Sequence, residues 1–274
     1  MDYSPKKITQ LLEKNNFNLK KKFGQNFIID ENIIDSIINK AQIDKETLVI
    51  EIGPGAGSLT YKLSNRAKNV LCYEIDNKLE TILKENLKEC SNVNIIFQDF
   101  LTADVKKDIK KYTYKKIYVI ANLPYYITTP ILNKFIEDEI AVDKIVIMVQ
   151  KEVGDRFKAK PGNKEYGSLS VYLNYYFNVT KLLDVSRNVF LPKPNVDSIV
   201  VEFSKKELLP LKDKKMFFKL VRDSFTQKRK TLRNNLLNYN LDKVLEILEK
   251  YDFNLSVRAE QLSGEIFVEI ANNL

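Results

Sequence analysis

Thr47-Leu48-Val49-Ile50-Glu51-Ile52-Gly53-Pro54-Gly55-Ala56-Gly57 is the stretch whose reading decides the fold. From Leu48 to Ile52 it is an apolar run broken only by Glu51, the length of one strand buried on both faces. The glycines that follow permit a tight turn and a close approach of backbone to ligand. Leu59 and Leu63, four residues apart, then anchor a helix. A strand, a glycine turn and a helix in that order open an α/β sheet that binds a nucleotide-like ligand. The spacing is not that of the dinucleotide fingerprint, whose last glycine falls one residue later. No lysine follows to hold a phosphate chain. A nucleoside without a pyrophosphate fits this turn better than ATP does.

The alternation continues outward. Residues 70–73 form a second strand ended by Glu74, and Asn77 caps a helix carrying Leu79, Ile82, Leu83 and Leu87. Residues 93–97 are a third strand, followed by Gln98 and Asp99. Residues 117–121 are a fourth, closing on Asn122-Leu123-Pro124-Tyr125. Thr129, as a cap, and Pro130, at the first helical position, open a helix with Ile131, Leu132, Phe135 and Ile136. Residues 144–150 are a fifth strand. Upstream, Asp30 caps an amphipathic helix presenting Ile33, Ile34, Ile37, Ile38 and Ala41. Beyond Gly167, residues 179–185 and 198–203 read as two further strands, with residues 190–194 a rigid loop between them. From about Lys205 the chain becomes helical, rich in Lys and Arg, with segments at 214–225, 231–238, 242–251 and 264–272. The expected organisation is a basic arm over 1–22, a Rossmann-like α/β domain over 23–207 and a small all-helical domain over 208–274. Its sheet is mostly parallel with an antiparallel strand.

The chain has 274 residues, 44% of them hydrophobic and 29% charged, the balance of a globular protein with a real core. No apolar run reaches eighteen residues, so no membrane span is expected. The first residues lack an apolar leader core. The two cysteines, Cys72 and Cys90, form no Cys-x-x-Cys pair, which points to a reducing, cytoplasmic setting. The net charge of +8 favours a polyanionic partner. Histidine is absent altogether, which removes Ser-His-Asp hydrolysis, Cys-His nucleophiles and His-ligated zinc.

The strand ends carry the chemistry. Glu74, about twenty residues past the glycines, can accept both hydroxyls of a ribose. Asp99 can accept from an adenine amine. At Asn122-Leu123-Pro124-Tyr125 an amide oxygen and a neighbouring carbonyl can accept the two N–H bonds of an exocyclic amine, and Tyr125 offers a face for stacking. Pro124 removes a competing donor and stiffens the turn. Lys20, Lys21 and Lys22 form one basic cluster. Lys214, Lys215, Lys219, Arg222, Lys228, Arg229, Lys230 and Arg233 form a second, with Asp223 the acid among them.

Taken together, these motifs resemble those of S-adenosylmethionine-dependent methyltransferases of class I. More narrowly, the chain resembles the small-subunit (16S) ribosomal RNA adenine N6,N6-dimethyltransferase family from about Lys21 to its end. The resemblance rests on residues 23–30 (FGQNFIID), 51–60, 122–129 and 148–153 (MVQKEV), and on 166–171 (YGSLSV), 190–198 (FLPKPNVDS) and 227–236 (QKRKTLRNNL). It implies contacts of S-adenosyl-L-methionine with Asn26, Ile28, Gly53, Glu74, Asp99 and Asn122, with Gly55, Ile75 and Phe100 beside them. Tyr125 and Phe190 are expected to clamp an extruded base, and Lys20–Lys22, Arg222, Lys228, Arg229, Lys230 and Arg233 to meet RNA. The chain departs from the family pattern at Ile28, where leucine is usual, and at Tyr126, where asparagine is usual. The implied activity dimethylates N6 of two adjacent adenosines near the 3′ end of small-subunit ribosomal RNA. The implied setting is an immature 30S subunit, with the protein a monomer and no metal involved. Three other readings share some of these features. They are a large-subunit adenine dimethyltransferase of the macrolide-resistance type, a non-catalytic ribosome-assembly factor and a DNA amino-methyltransferase. The last is disfavoured by Leu123, since that class carries two prolines before its aromatic.

Overall fold

The computed structural model describes residue 10 and residues 26–124 and 127–274. The expected arm over 1–22 with Lys20, Lys21 and Lys22, and the pair Tyr125 and Tyr126, lie outside the described residues. By its contacts the chain forms two units. One comprises residues through 154 together with 180–204; the other comprises 155–179 and 205–274.

In the first unit, β1 (Phe27–Ile28) leads into helix α1 (Glu31–Ala41). Asp30 caps α1 by accepting from Asn32 N at 2.9 Å, as its sequence position predicts. Then β2 (Thr47–Ile52), α2 (Ser58–Arg66), β3 (Asn69–Glu74), α3 (Glu80–Asn86) and β4 (Val93–Phe97) alternate. After α4 (Val105–Ile109) come β5 (Lys116–Asn122), α5 (Thr128–Glu137), β6 (Lys144–Gln150) and α6 (Lys151–Phe157). Further along the chain are α7 (Ser168–Tyr176), which belongs to the second unit, then β7 (Phe177–Val185), β8 (Phe190–Leu191) and β9 (Ser198–Lys205). Seven of these strands make one sheet in the order β4-β3-β2-β5-β6-β9-β7. The pairs from β4 to β6 are parallel, and β9 runs antiparallel to β6. The interior strand β2 is buried along its whole length, as expected of a strand with helices on both faces.

Three local expectations are corrected. The turn before α3 is capped by Asp76, which accepts from Lys78 N, rather than by Asn77. Helix α5 begins at Thr128, one residue before the expected cap, so Pro130 sits within the first turn, where its missing N–H is still unneeded. The 190–194 stretch is not wholly a loop: Phe190 and Leu191 pair antiparallel with Ile28 and Phe27.

The second unit contains α7, α8 (Lys214–Ser224), α9 (Leu232–Asn235), α10 (Leu241–Glu249) and α11 (Gly264–Asn273). The expected boundary at 207/208 assigned residues 155–179 to the sheet domain. Instead, Tyr166, Val171 and Tyr175 share one buried cluster with Phe217, Leu220 and Phe267, so this segment belongs with the C-terminal helices. The expected helix over 231–238 is a single turn.

Gly154 in α6 tests how tightly the sheet is covered. A methyl group there would lie 2.3 Å from Ile199 Cδ1 and 2.6 Å from Ile199 Cγ1. Alanine gains ~1 kcal/mol of helix propensity over glycine, whereas overpacking a filled site costs ~1–3 kcal/mol. Ile199 is fully buried and has nowhere to retreat, so packing should win. Gly154→Ala is expected to lower the urea midpoint, by about 1–2 kcal/mol in unfolding free energy. A raised midpoint would show that propensity dominates.

Candidate active site

The ends of β2, β3 and β5, with the residue pair after β4, surround one cleft that opens to solvent. Its position follows from topology. The chain leaving β2 runs to β3 on one side, while β5 pairs with β2 on the other, so the strand order reverses at their carboxyl ends. Asn26, Ile28, Gly53, Gly55, Glu74, Ile75, Asp99, Phe100, Asn122, Leu123 and Pro124 all line this cleft. It therefore brings together every described residue the sequence assigned to cofactor or amine recognition except Phe190.

The glycine turn holds its shape at Gly55. Its φ is +59°, and a Cβ would come within 2.9 Å of the Phe27 ring. Only glycine meets both conditions. Gly55 N–H donates to Glu74 Oε2 at 3.3 Å, and Asp76 N–H donates to Glu74 Oε1 at 2.8 Å. Glu74 is thus fixed by backbone on both oxygens while keeping lone pairs toward the cleft. Burial raises its pKa, and the two N–H donors oppose that shift. Ile75, 48% exposed, presents an apolar flank beside it. Asp99 uses Oδ1 to cap the turn at Phe100–Thr102, accepting from Leu101 N at 2.9 Å, which leaves Oδ2 for another partner. The buried Phe100 ring packs edge-on against Tyr73 at 5.3 Å and forms the floor.

Asn122 ends β5. Its Nδ2 donates to the Asn26 carbonyl at 2.9 Å, so the amide has one orientation and its oxygen remains an acceptor. The Pro124 carbonyl already accepts from Ile127 N at 3.1 Å and Thr128 Oγ1 at 3.5 Å.

Phe190 departs from expectation. It is 3% exposed, does not line the cleft, and packs in a cluster with Ile28, Val185 and Val200. Pairing of β8 with β1 sets it beside Ile28, which lines the cleft. In the second unit Arg222, Lys228, Arg229, Lys230 and Arg233 are all exposed. Lys219 is partly neutralised, at 2.7 Å from Asp223.

Phe27, Ile127 and Ile131 also line the cleft, and the sequence reading missed them. Phe27 could have been found from its place between Asn26 and Ile28. The other two are apolar residues of the turn and first helical positions after Pro124.

Glu51 lines the cleft as well, at 1% exposure. Burial pushes its pKa up to about 8, and the neighbouring Glu74 charge adds to the shift. A hydrogen bond from the Cys72 thiol at 3.6 Å opposes it. The native state therefore holds a proton that the unfolded chain releases above about pH 4.5. Stability linked to this group is full below that pH and falls as pH rises toward 8. Glu51→Gln removes the titration. The variant's melting temperature is expected to rise relative to wild type between pH 5 and pH 8, followed calorimetrically without ligand. A difference that stays constant with pH would remove Glu51 as the buried titrating group.

A family model described as ribosomal RNA adenine dimethylase matches residues 16–274. A ribosomal RNA small subunit methyltransferase A from Staphylococcus haemolyticus (strain JCSC1435) is 46% identical over 277 residues, covering 97% of this chain and 94% of that protein. Two solved structures share the Rossmann-like fold. A dimethyladenosine transferase from Plasmodium falciparum has a TM-score of 0.75 at 28% identity, covering 88% of this chain and 94% of that one. The 23S rRNA methyltransferase ErmE has a TM-score of 0.72 at 25% identity, covering 90% and 99%. The glycine turn, the acids at the strand ends and the Asn122 corner thus occur in a chain that belongs to the ribosomal RNA adenine dimethylase family.

Proposed function

We propose that this protein dimethylates N6 of two adjacent adenosines near the 3′ end of small-subunit ribosomal RNA, acting as a monomer on an immature 30S subunit. The observation that carries the reading is the single orientation of the Asn122 amide, in the same cleft as the glycine turn and Glu74. The 46% identity to a small subunit methyltransferase over nearly the whole chain favours the small-subunit substrate.

The residues of the cleft fit S-adenosyl-L-methionine. Glu74 has lone pairs for ribose hydroxyls, Ile75 and Phe100 give apolar surface for a purine, and Asp99 keeps an oxygen for its amine. When bound, that molecule supplies a methyl group already activated on a sulfonium. The protein's task is to position the acceptor. An adenine N6 lone pair is delocalised into the ring and weakly nucleophilic. Asn122 Oδ1 and the Leu123 carbonyl accept its two N–H bonds and favour a pyramidal nitrogen. Leu123 is the better second acceptor because the Pro124 carbonyl is already engaged. Holding reactants in line supplies ~7–11 kcal/mol of the barrier in favourable cases. A strong base is unnecessary, since the N6 proton becomes acidic only after attack, which suits a chain without histidine. Tyr125 follows directly in sequence and is the residue proposed to stack on the extruded base.

Asn122→Ala is expected to lower turnover about 10²–10³-fold, the usual cost of one preorganised polar group. Affinity for the immature subunit should stay within a factor of about two. Labelled-methyl transfer and filter binding, run on the same preparation, measure both. Unchanged turnover would refute the role given to Asn122. The likeness to a large-subunit enzyme makes the substrate a separate question. Labelling of immature large subunits in preference to small ones would assign this chain to that second activity.

A further inference from the structure

Within the C-terminal unit, three stretches far apart in sequence are fastened side by side. Lys228 Nζ donates to the Lys164 carbonyl at 3.1 Å. Leu232 N donates to the Val257 carbonyl at 2.7 Å, and Gly162 N to the Glu260 carbonyl at 2.7 Å. The 160–164 loop, the 228–232 turn and the 257–260 segment therefore form one ledge, and each brings cations to it. Lys160, Lys164, Lys228, Arg229, Lys230 and Arg258 are all exposed. Acids are fewer. Glu165 lies 3.9 Å from Lys164 and Glu260 is half-buried, while Asp155 engages Lys158 at 2.9 Å, outside the ledge.

The loop is rigid by construction. Asn163 N donates to the Lys160 carbonyl at 3.1 Å, closing a turn around Pro161 and Gly162. Gly162 has φ +86°, so proline and glycine occupy the two central positions that a type II turn demands. Glu165 N donates to Asn163 Oδ1, and the buried Tyr166 ring anchors the exit at 6.1 Å from Phe225. Lysines on a fixed turn lose less freedom on contact than lysines on a mobile tail. A row of point charges on a fixed ledge suits a polyanion with regularly spaced charges.

We propose that Lys160 and Lys164, joined through Lys228 to the Arg229–Lys230 turn and Arg258, form a second line of phosphate contacts that grips the backbone of the RNA substrate. This rests on the reading of the chain as an RNA-modifying enzyme and extends its RNA surface to a loop that sequence charge alone did not single out. The ledge sets register through the backbone and carries no base specificity.

The test uses the full-length protein and immature small subunits. Lys160→Ala/Lys164→Ala is compared with wild type by filter binding across a salt series, with Lys160→Arg/Lys164→Arg as the charge-keeping control. Removing two phosphate contacts is expected to weaken binding about tenfold or more at moderate salt. The slope of log affinity against log salt should become shallower by about 1.4–1.8. The arginine pair should restore both. Affinity and slope equal to wild type in the alanine variant, with an unchanged melting temperature, would overturn the proposal. So would binding of wild type to phosphatidylglycerol vesicles that is lost in the alanine variant while its RNA affinity stays unchanged. Failure of the underlying reading looks different: wild type itself would then transfer no methyl to any ribosomal RNA, whatever stands at 160 and 164.

Discussion

Pairing of β2 with β3 on one side and with β5 on the other is the constraint on which the site depends. In this parallel register Glu51 stands opposite both Cys72 and Ile120, and Gly53 N continues the ladder to the Tyr73 carbonyl at 2.9 Å. The three strands thus end at nearly the same level. The glycine turn, Glu74 and Asn122 arrive together because their strands stop together. The connections from β2 and β5 depart in opposite directions, and the space between them is left open. A one-residue slip of β5 against β2 would turn the Asn122 side chain to the opposite face. Burial of both sheet faces resists such a slip, since it would also displace Val119 and Ile120, both fully buried. The chemistry of the corner is in this sense held by the core beneath it.

Much of this was legible because short apolar runs ending in a single polar residue mean the same thing wherever they occur. Residues 47–52, 93–97 and 144–150 match observed strands, and the acids and amide that end the strands near the cleft all line it. What escaped the sequence had a competing pattern or none. In residues 168–176, Leu169, Val171, Leu173 and Tyr175 alternate with Ser168, Ser170, Tyr172 and Asn174, the period of a strand, yet the segment folds as helix α7. Its tertiary partners, Phe217 and Phe267 among them, override that local preference. The pairing of β1 with β8 joins two residues to two others across more than 160 positions, too short for any periodic signal. It also accounts for Phe190: an aromatic in a proline-rich stretch reads as a loop residue free to stack, until a cross-strand partner sets it beside Ile28. Glu51 stands in the sequence as the one polar residue of the 48–52 run. Its burial follows from its place inside that strand, whereas its place in the cleft wall depends on the neighbouring strands.

The distribution of charge between the two units resolves an apparent conflict. Net charge +8 on a chain of a ribosomal RNA-modifying family raises the expectation of a cation-lined cleft. Instead the cleft wall holds Glu74 and Asp99 with the Asn122 amide oxygen, and no lysine or arginine lines it among the described residues. Acceptors at this density suit ribose hydroxyls, amines and a positively charged donor group. They repel phosphate, which fits the missing lysine after the glycine turn. Cations are exposed in the other unit, around the 228–233 turn and the 160–164 loop. Were they in the cleft, phosphates would compete for it with any base placed there. On the proposed function, this division keeps attraction to phosphate out of the cleft assigned to the base.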